Sequence, residues 1–453
     1  MTEPPAQQTE PPAQRTEQKE AQRLSPLTPF VRGPILILAF IGASWDNLLL
    51  DREFGFVGLM LVLLLGAGLV YGLASWLITK YWIDDAELRI DTGVLFRKSR
   101  RIRIDRLQGV DIVQPLLARV FGLAELRFDV AGGEREGALA FLPHPRALAL
   151  RAMLLERRDH LRGEEPTSTV GEPGERVLGR LDLGRLVGSL ALSSEMLFML
   201  ATIAVLSTAY ALSGSFAIVG GIVPAFLALG VALARRLTAA YGFVVAESTQ
   251  GLHIRRGLTA LSSQTISVER IQGLVISEPL LWRRAGWARL EVSVAGYTSG
   301  QGEEAQASSV LMPVAPVREI HALADHVLGR AVGVVPLTRA PKRARWLAPL
   351  SAWTLALGQD DDLLVSRRGF WVRRLDAVPH ERVQSLRLVQ GPGQRRLGLA
   401  DVLVDSPPGP VHVRGTLREA ADARDYLQAA QAQSRHARHP RLGLTPPWPE
   451  ITQ

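Results

Sequence analysis

The sequence predicts membrane α-helical hairpins together with three small antiparallel β-barrel or sandwich domains, each closed by a C-terminal helix. Three observations predict this fold class: long uncharged apolar runs, a threefold internal repeat with the two-residue period of strands, and a run with helical period at the end of each repeat. The composition agrees, because 47% of the 453 residues are hydrophobic, which is a high share for a wholly soluble protein.

Two apolar runs are long enough to cross a hydrocarbon layer of about 30 Å. Residues 54–78 and 215–234 contain no charged side chain. Weaker apolar runs at 31–45 and 196–212 precede them. Each strong run is therefore predicted to form a transmembrane hairpin with its weaker neighbour.

The positions of the basic residues predict the orientation of both hairpins. Lysine and arginine concentrate at the outer ends of the hairpins, at Arg32, Lys80, Arg185, Arg235 and Arg236. By the positive-inside rule, both termini and all three β domains then lie in the cytoplasm.

An internal repeat organises the rest of the chain. Residues 93–125, 257–289 and 369–401 align without gaps. Each stretch contains a glycine, an acidic-Arg-x-Gln motif, a later arginine and a second glycine, always at the same spacing. These positions are Gly93, Asp105, Arg106, Gln108, Arg119 and Gly122 in the first copy, Gly257, Glu269, Arg270, Gln272, Arg283 and Gly286 in the second, and Gly369, Glu381, Arg382, Gln384, Arg395 and Gly398 in the third.

Each copy has the pattern of an antiparallel β unit followed by a helix. A strand-type run precedes the first glycine, which is predicted to lie in a tight turn, and further strands follow. A run with helical period begins at Pro145, Pro316 and Thr416 in the three copies. An antiparallel unit of this size with one C-terminal helix is a pleckstrin-homology (PH)-like architecture.

On these residues the chain resembles the bacterial PH-like domain of the YdbS and YdbT membrane proteins. The resemblance covers residues 30–435, and two hairpins with three such domains resemble the YdbT type. It implies a multi-pass protein of the bacterial inner (cytoplasmic) membrane. The third copy departs from the pattern at Ser385, and its upstream segment 346–358 is too short to span, so it is expected to lack a hairpin of its own.

The predicted organisation divides the chain into nine segments. They are a disordered tail at 1–29, transmembrane hairpin 1 at 30–79, PH-like domain 1 at 80–163, a linker at 164–185, hairpin 2 at 186–236, PH-like domain 2 at 237–331, a linker at 332–355, PH-like domain 3 at 356–435 and a disordered tail at 436–453. The first tail is rich in Pro, Gln, Glu and Thr and lacks the pattern of a secretory signal.

The sequence predicts no enzyme, no metal site and no cofactor. The absence of cysteine excludes disulfides, thiolate metal sites and cysteine nucleophiles. The nine histidines form no HExxH or HxH motif, and no P-loop, GxSxG or dinucleotide fingerprint is present. The acidic-Arg-x-Gln motif is expected to be structural, with the glutamine bonded to strand-edge backbone and the carboxylate paired with an arginine of its own domain.

Basic clusters near the strand turns are the candidate lipid- or partner-binding residues. They comprise Arg97, Lys98, Arg100, Arg101, Arg103, Arg255, Arg256, Arg367 and Arg368. A cationic hairpin close to a membrane can bind anionic headgroups, with about 1 kcal/mol for each basic residue. The alternative interpretation is a solvated face. Nucleic acid is not an expected partner, because aromatic stacking residues do not interleave with these arginines.

The expected function is that of a membrane-anchored binding or scaffold protein, which presents three cytoplasmic PH-like domains to a protein partner or to anionic lipid. The alternative is a small-solute or lipid transporter, or its regulatory component. Asp46 and Glu195 are the intramembrane acidic candidates for transport. Both are expected at headgroup level instead, and transport has little support because neither has an evident basic partner within its own helix.

Overall fold

A computed structural model describes residues 22–23, 63, 66, 70, 74, 78–84, 86–92, 98–130, 137–162, 176–213, 216–248, 251–295, 309–407 and 409–442. Most of hairpin 1 and of the two predicted tails lies outside these residues. The chain divides into two compact units, Met1–Asp105 and Arg106–Gln453.

The first unit contains one four-stranded antiparallel sheet. Its strands, in the order β1-β2-β3-β4, are β1 Gln22–Arg23, β2 Lys80–Ile83, β3 Glu87–Thr92 and β4 Lys98–Arg103. Leu88 and Ile90 lie two residues apart on β3, and both are buried. Ile102 on β4 is buried as well. This alternation is the two-residue period of a strand with one face on a core.

Two seven-stranded antiparallel sheets and one three-stranded sheet form the second unit. The first has the order β7-β6-β5-β11-β10-β9-β8, the second the order β14-β13-β12-β18-β17-β16-β15, and the third the order β19-β20-β21. The strands are β5 Leu107–Pro115, β6 Leu123–Val130, β7 Gly137–Pro143, β8 Arg176–Arg180, β9 Val244–Ser248, β10 Gly251–Arg256, β11 Ala260–Ile266, β12 Ile271–Pro279, β13 Trp287–Val294, β14 Val310–Pro316, β15 Thr338–Arg339, β16 Ala356–Gln359, β17 Leu363–Arg368, β18 Val372–Pro379, β19 Ser385–Val389, β20 Leu399–Asp405 and β21 Arg414–Glu419.

Helices connect and cover these sheets. They are α1 Leu116–Val120, α2 His144–Arg162, α3 Leu183–Ala191, α4 Ser194–Ser213, α5 Phe216–Ala240, α6 Leu280–Ala285, α7 Val317–Leu328, α8 Pro392–Leu397 and α9 Ala420–Leu442. The closing helix predicted for each copy is confirmed by α2, α7 and α9. The predicted start of the third helix at Thr416 is wrong, because Thr416 belongs to β21 and α9 begins at Ala420, and α9 also extends into the segment predicted as the C-terminal tail.

Consecutive copies share their sheets. In the first seven-stranded sheet β5 pairs with β11, and in the second β12 pairs with β18, so strands of one copy continue the sheet of the next. The register is the same at both joints: Pro115 lies opposite Ala260, and Pro279, its counterpart in the repeat, lies opposite Val372. The predicted linkers 164–185 and 332–355 each supply an edge strand, β8 and β15.

The second shared sheet lies between two hydrophobic cores. Leu274 and Ile276 of β12 belong to the core of the second copy, whereas Val275 between them belongs to the core of the third. Successive side chains of a strand point to opposite faces, so one sheet serves two domains. Repeated PH-like sheet units with closing helices are therefore confirmed. Consecutive units are not separate domains, however, because they share sheets.

The described part of the second predicted hairpin is helical. Among the described residues, α4 is the helix with the length and composition of a membrane span. The following helix, α5, contains most of the uncharged run at 215–234. Glu195 near the start of α4 contacts Arg236 near the end of α5, which shows that the two helices are antiparallel.

Candidate lipid- and partner-binding site

The basic clusters lie at one kind of hairpin, between the second and third main strands of each copy. Gly257 and Gly369 form the turns of the second and third hairpins with φ of 106° and 95°. A Cβ atom at these positions would lie 1.9 Å from the carbonyl oxygen of Ala260 and 2.0 Å from that of Val372. The turns therefore require glycine, as predicted. Gly93 of the first copy lies outside the described residues.

The first basic cluster divides between the two faces of β4. Arg101 and Arg103 are exposed, and both lie on the face opposite the buried Ile102. Arg103 donates to both carboxylate oxygens of Asp105, at 3.1 and 2.7 Å. Arg100 is exposed on the other face. Arg97 and the side chain of Lys98 lie outside the described residues, so the structure brings only part of this cluster together.

The second hairpin touches the end of a predicted membrane helix. The backbone N–H of Gly257 donates to the carbonyl oxygen of Tyr241, and that of Leu258 donates to the carbonyl oxygen of Thr238, both at 2.8 Å. Arg255 and Arg256 end β10 directly before this turn. Both arginines are thereby held beside the end of α5.

The third hairpin carries a compact group of like charges. Burial lowers the pKa of Arg367, and the positive charges of Arg373 and Arg339 lower it further, with Glu278 acting in the opposite direction. Arg373 lies 3.5 Å from Glu278. Three guanidinium groups with one nearby carboxylate leave a positive potential, which favours an anion.

Arg368, in contrast, has a structural role. Its Nε donates to the fully buried Asp376 at 3.2 Å. The other carboxylate oxygen of Asp376 accepts from the backbone N–H of His412 at 3.1 Å. Because Arg368 compensates a buried charge, it is the least suitable of the predicted residues for a ligand.

The arginines of the acidic-Arg-x-Gln motif connect consecutive copies. Arg270 donates to Asp129 of the first copy at 3.2 Å, and Arg382 donates to the backbone oxygen of Glu269 of the second copy at 2.7 Å. Gln272 donates to the backbone oxygen of Arg270 at 3.2 Å, a contact of the kind predicted for the glutamine. The sequence predicted a structural motif within one domain, whereas the two arginines act between domains.

The carboxylates of the motif have different partners in different copies. Asp105 pairs with Arg103 of its own domain, as predicted. Glu381 lies 3.8 Å from Arg382 of its own domain, as predicted, and also 3.8 Å from Arg330 of the second domain. Glu269 contributes its backbone oxygen to Arg382. The side chain of Gln108 lies outside the described residues, and Arg106 and Gln384 are exposed.

The remaining repeat positions belong to short helices. Gly122, Gly286 and Gly398 follow α1, α6 and α8 with φ of 66°, 70° and 67°, a left-handed helix cap that glycine adopts readily. Arg283 of α6 donates to the backbone oxygen of Phe370, at the tip of the third hairpin, at 2.5 Å. Arg119 and Arg395 are exposed.

The histidines of the described residues have structural partners or lie at the surface. His253 bonds to Thr265 and Ser263, and His380 bonds to the backbone oxygen of Asp360 and to Ser434. Within the described ranges no group of three or more His, Cys, Asp or Glu side chains is arranged to hold a metal ion.

An aromatic group at the third hairpin was not among the predicted site residues. The ring of Phe370 packs edge to face against Trp353 and Trp371, with centroid distances of 5.9 and 5.1 Å. The Phe-Trp pair directly after the turn glycine Gly369 was the available signal. Aromatic residues also favour strands, so the pair by itself does not indicate a site.

Comparisons with known proteins agree with the repeat. A family model described as Bacterial PH domain matches the chain three times, at residues 35–158, 188–331 and 331–432. The chain is also similar to the UPF0699 transmembrane protein YdbT of Bacillus subtilis (strain 168), with 23% identity over 288 residues. That match covers 57% of this chain and 57% of the relative, so the chain spans little more than half of the relative's length. No solved structure matches the chain.

Proposed function

Because the chain belongs to the bacterial PH domain family, we propose that it is a membrane-anchored scaffold whose hairpin tips hold anionic lipid headgroups. Its three PH-like domains lie on the cytoplasmic side of a bacterial inner membrane, and helical hairpins anchor them. The B. subtilis relative is named as a transmembrane protein, which supports the anchoring. The proposal is one of binding rather than catalysis, because the repeated charged motif is engaged in contacts between copies.

The contact between the second hairpin and α5 carries this proposal. Gly257 and Leu258 donate to backbone oxygens in the last turns of α5 and just beyond it. If α5 spans the bilayer, its cytoplasmic end is at the headgroup level, and Arg255 and Arg256 lie there too. Each basic residue near an anionic surface contributes about 1 kcal/mol. The arginine group around Arg367 gives the third hairpin the same electrostatic character.

Lipid selectivity of the full chain tests the proposal. The protein is reconstituted into phosphatidylcholine bilayers, and the relative association of spin-labelled phosphatidylserine over spin-labelled phosphatidylcholine is measured by electron paramagnetic resonance. We expect a several-fold preference for phosphatidylserine, which decreases toward equality in the variant Arg255→Gln/Arg367→Gln. The matched control is Arg424→Gln/Arg435→Gln, which removes two exposed charges from α9 and should keep the preference. An unchanged preference in the hairpin variant would overturn the lipid proposal.

A protein partner at β19 is the second candidate. The strands equivalent to β19 in the other copies, β5 and β12, are each covered by a strand of the next copy. In its described sheet β19 is terminal, and Val389 on it is 44% exposed. An open strand edge can accept a strand from a partner. Amide hydrogen exchange of β19 should then be slower in native membrane vesicles than in the purified chain, and equal exchange would exclude such a partner.

A small-solute transporter has less support. Glu195 is paired with Arg236 at the outer ends of the helices, as expected for a charge at headgroup level. Asp46 lies outside the described residues. A transport site would need an ionisable group deeper in the hairpin.

A further inference from the structure

The third domain has an exposed group of apolar side chains at one end, which we call the tryptophan patch. It consists of Trp346, Leu347, Leu350, Trp353, Phe370 and Trp371. Trp346 is 82% exposed, Leu350 70%, Trp371 68% and Trp353 50%. Phe370 holds two of the indole rings in edge-to-face contact. Several large apolar side chains exposed together mark an interaction surface, whereas single ones do not.

The position of the tryptophan patch corresponds to the position of a membrane helix in the second domain. Gly257 and Gly369 are equivalent in the repeat, and the same alignment makes Trp353 equivalent to Tyr241 and Leu350 equivalent to Thr238. Tyr241 and Thr238 are the residues at the end of α5 that accept hydrogen bonds from the second hairpin. The patch therefore includes the two positions of the third domain that correspond to the end of α5, and Trp353 at one of them contacts Phe370 of the third hairpin.

Short turns replace the spanning helices in the third domain. The segment before β16 consists of two 3₁₀ turns, Lys342–Trp346 and Ala352–Thr354. Neither can cross a bilayer, because a span needs about 20 residues. Tryptophan, however, favours the interface between headgroups and acyl chains, where the ring body is in an apolar environment and the ring N–H remains hydrated or bonded.

The charges of the third domain are distributed unequally between its two ends, as expected for a domain that rests on an anionic surface. Lys342, Arg343 and Arg345 are exposed next to Trp346 on the first turn. At the opposite end of β17 lie three consecutive acidic residues, 360–362, with Asp361 and Asp362 exposed. The six residues of β17 separate the two ends by about 20 Å. Arg343 contacts Glu419, and Asp362 contacts Arg330, so both ends contain charges of each sign. The excess is basic beside the aromatic rings and acidic at the other end, and this difference indicates which end faces the lipid.

We propose that the tryptophan patch inserts into the headgroup region of the membrane and docks the third domain there without spanning the bilayer. The insertion rests on the proposed membrane anchoring by α4 and α5. It adds a second kind of attachment, because the apolar rings enter bilayers of neutral as well as anionic lipid. An interfacial apolar face of this kind lies about 5–10 Å into the boundary between headgroups and acyl chains.

Nitroxide depth measurements on the full chain test the insertion. The chain contains no cysteine, so single cysteines can be labelled without removing others. Labels at Leu350→Cys, Asp361→Cys and Val205→Cys, the last in the middle of α4, are compared in phosphatidylcholine bilayers by their accessibility to oxygen and to a water-soluble nickel complex. We expect the deep-membrane signature at 205, the interfacial signature at 350 and the aqueous signature at 361.

A variant identifies the rings as the cause. Trp346→Ser/Trp371→Ser removes the two most exposed rings and should move the label at 350 to aqueous values. The matched control Val334→Ser, which removes an apolar side chain of similar exposure, should leave that label interfacial. Melting temperatures of both variants equal to that of the unsubstituted chain establish that the fold is retained.

The outcomes separate the two proposals. An aqueous label at 350 in the unsubstituted chain, with a deep label at 205, would overturn the insertion and leave the anchoring intact. An aqueous label at 205 would overturn the anchoring itself. Concentration-dependent spin–spin broadening at 350 without lipid accessibility would show that a second copy covers the patch, which also overturns the insertion.

Discussion

Arg236 donates from Nη2 to Oε1 of Glu195 at 3.1 Å, and this ion pair joins the two ends of the α4–α5 hairpin. Forty-one residues separate the two positions along the chain. The helix of Glu195 contains no lysine or arginine, and the neighbouring helix supplies the partner. The charge is therefore compensated at the end of the hairpin.

The first prediction concerns the strength of this pair. Both side chains are more than half exposed, so the coupling should be modest, about 0.5–1 kcal/mol after allowance for solvent screening. A double-mutant cycle with Glu195→Gln, Arg236→Gln and both together measures it by thermal unfolding in detergent micelles. The longer pair between Arg185 and Glu319, at 3.7 Å, should couple less and serves as the comparison. Additive single effects at Glu195 and Arg236 would contradict the prediction.

The second prediction is topological. By the positive-inside rule, the arginines at the outer ends of the hairpin predict that those ends lie in the cytoplasm. Alkaline phosphatase is active only outside the cytoplasm, so a fusion after Arg236 should be inactive and a fusion near Ser213 should be active. The reverse pattern would show that the β domains face the other side of the membrane.

The third prediction concerns the contact between the first and second copies. The carboxylate of Asp129 is 8% exposed and the side chain of Arg270 is 17% exposed, so the pair is largely removed from water. Asp129→Ala should reduce the free energy of unfolding by about 2 kcal/mol, because it leaves a partly buried guanidinium with fewer acceptors. Chemical unfolding of the full chain measures the change.

The matched control for this contact is Asp405→Ala. Asp405 pairs with Arg387 at 2.6 Å, but the pair is at the surface of a single copy. Its loss should change stability little, because exposed pairs are screened by solvent. Similar losses in the two variants would mean that Asp129 has no special role between the copies.

Local features of the repeat were predictable, and the contacts between copies were not. The turn glycines Gly257 and Gly369, and the closing helices, follow from spacing and periodicity within about twenty residues. The partner of Arg270 lies 141 residues earlier, so no local pattern indicates it. The joining of β12 to β18 was equally hidden, because the pattern of apolar residues along a strand indicates which of its faces are buried and not which strand lies beside it.

The candidate site shows the same division. Spacing located the basic turns, but the sequence could not distinguish Arg368, which compensates the buried Asp376, from Arg367, which lies among other positive charges. Both residues have the same type and the same neighbourhood along the chain. Only the packing of β17 against its neighbours separates a structural arginine from a candidate for binding.

The last prediction is a pH dependence of stability that originates at His380. This side chain is buried, its Nε2–H donates to the backbone oxygen of Asp360 at 2.9 Å, and Nδ1 accepts from Ser434 at 3.4 Å. Burial lowers the pKa of His380 from its ordinary value of 6.5, although the Asp360 contacts act in the opposite direction. The folded protein therefore holds a neutral imidazole at a pH at which the unfolded chain already binds a proton.

The sign of the effect follows from this difference in proton binding. Above pH 6.5 His380 is neutral in both the folded and the unfolded protein, so it adds no pH dependence to stability. As the pH falls below 6.5 the unfolded protein binds a proton first, and stability decreases until the pH reaches the pKa of the folded protein. The slope is at most about 1.4 kcal/mol per pH unit. The melting temperature of the full chain should therefore be lower at pH 5.5 than at pH 7.5, and the decrease should be smaller in His380→Gln, whose amide can still donate to Asp360.

Burial also lowers the pKa of His412, so this residue should account for part of the remaining slope, which His412→Gln would remove. An equal decrease in the unsubstituted chain and in His380→Gln would exclude His380 as the titrating group.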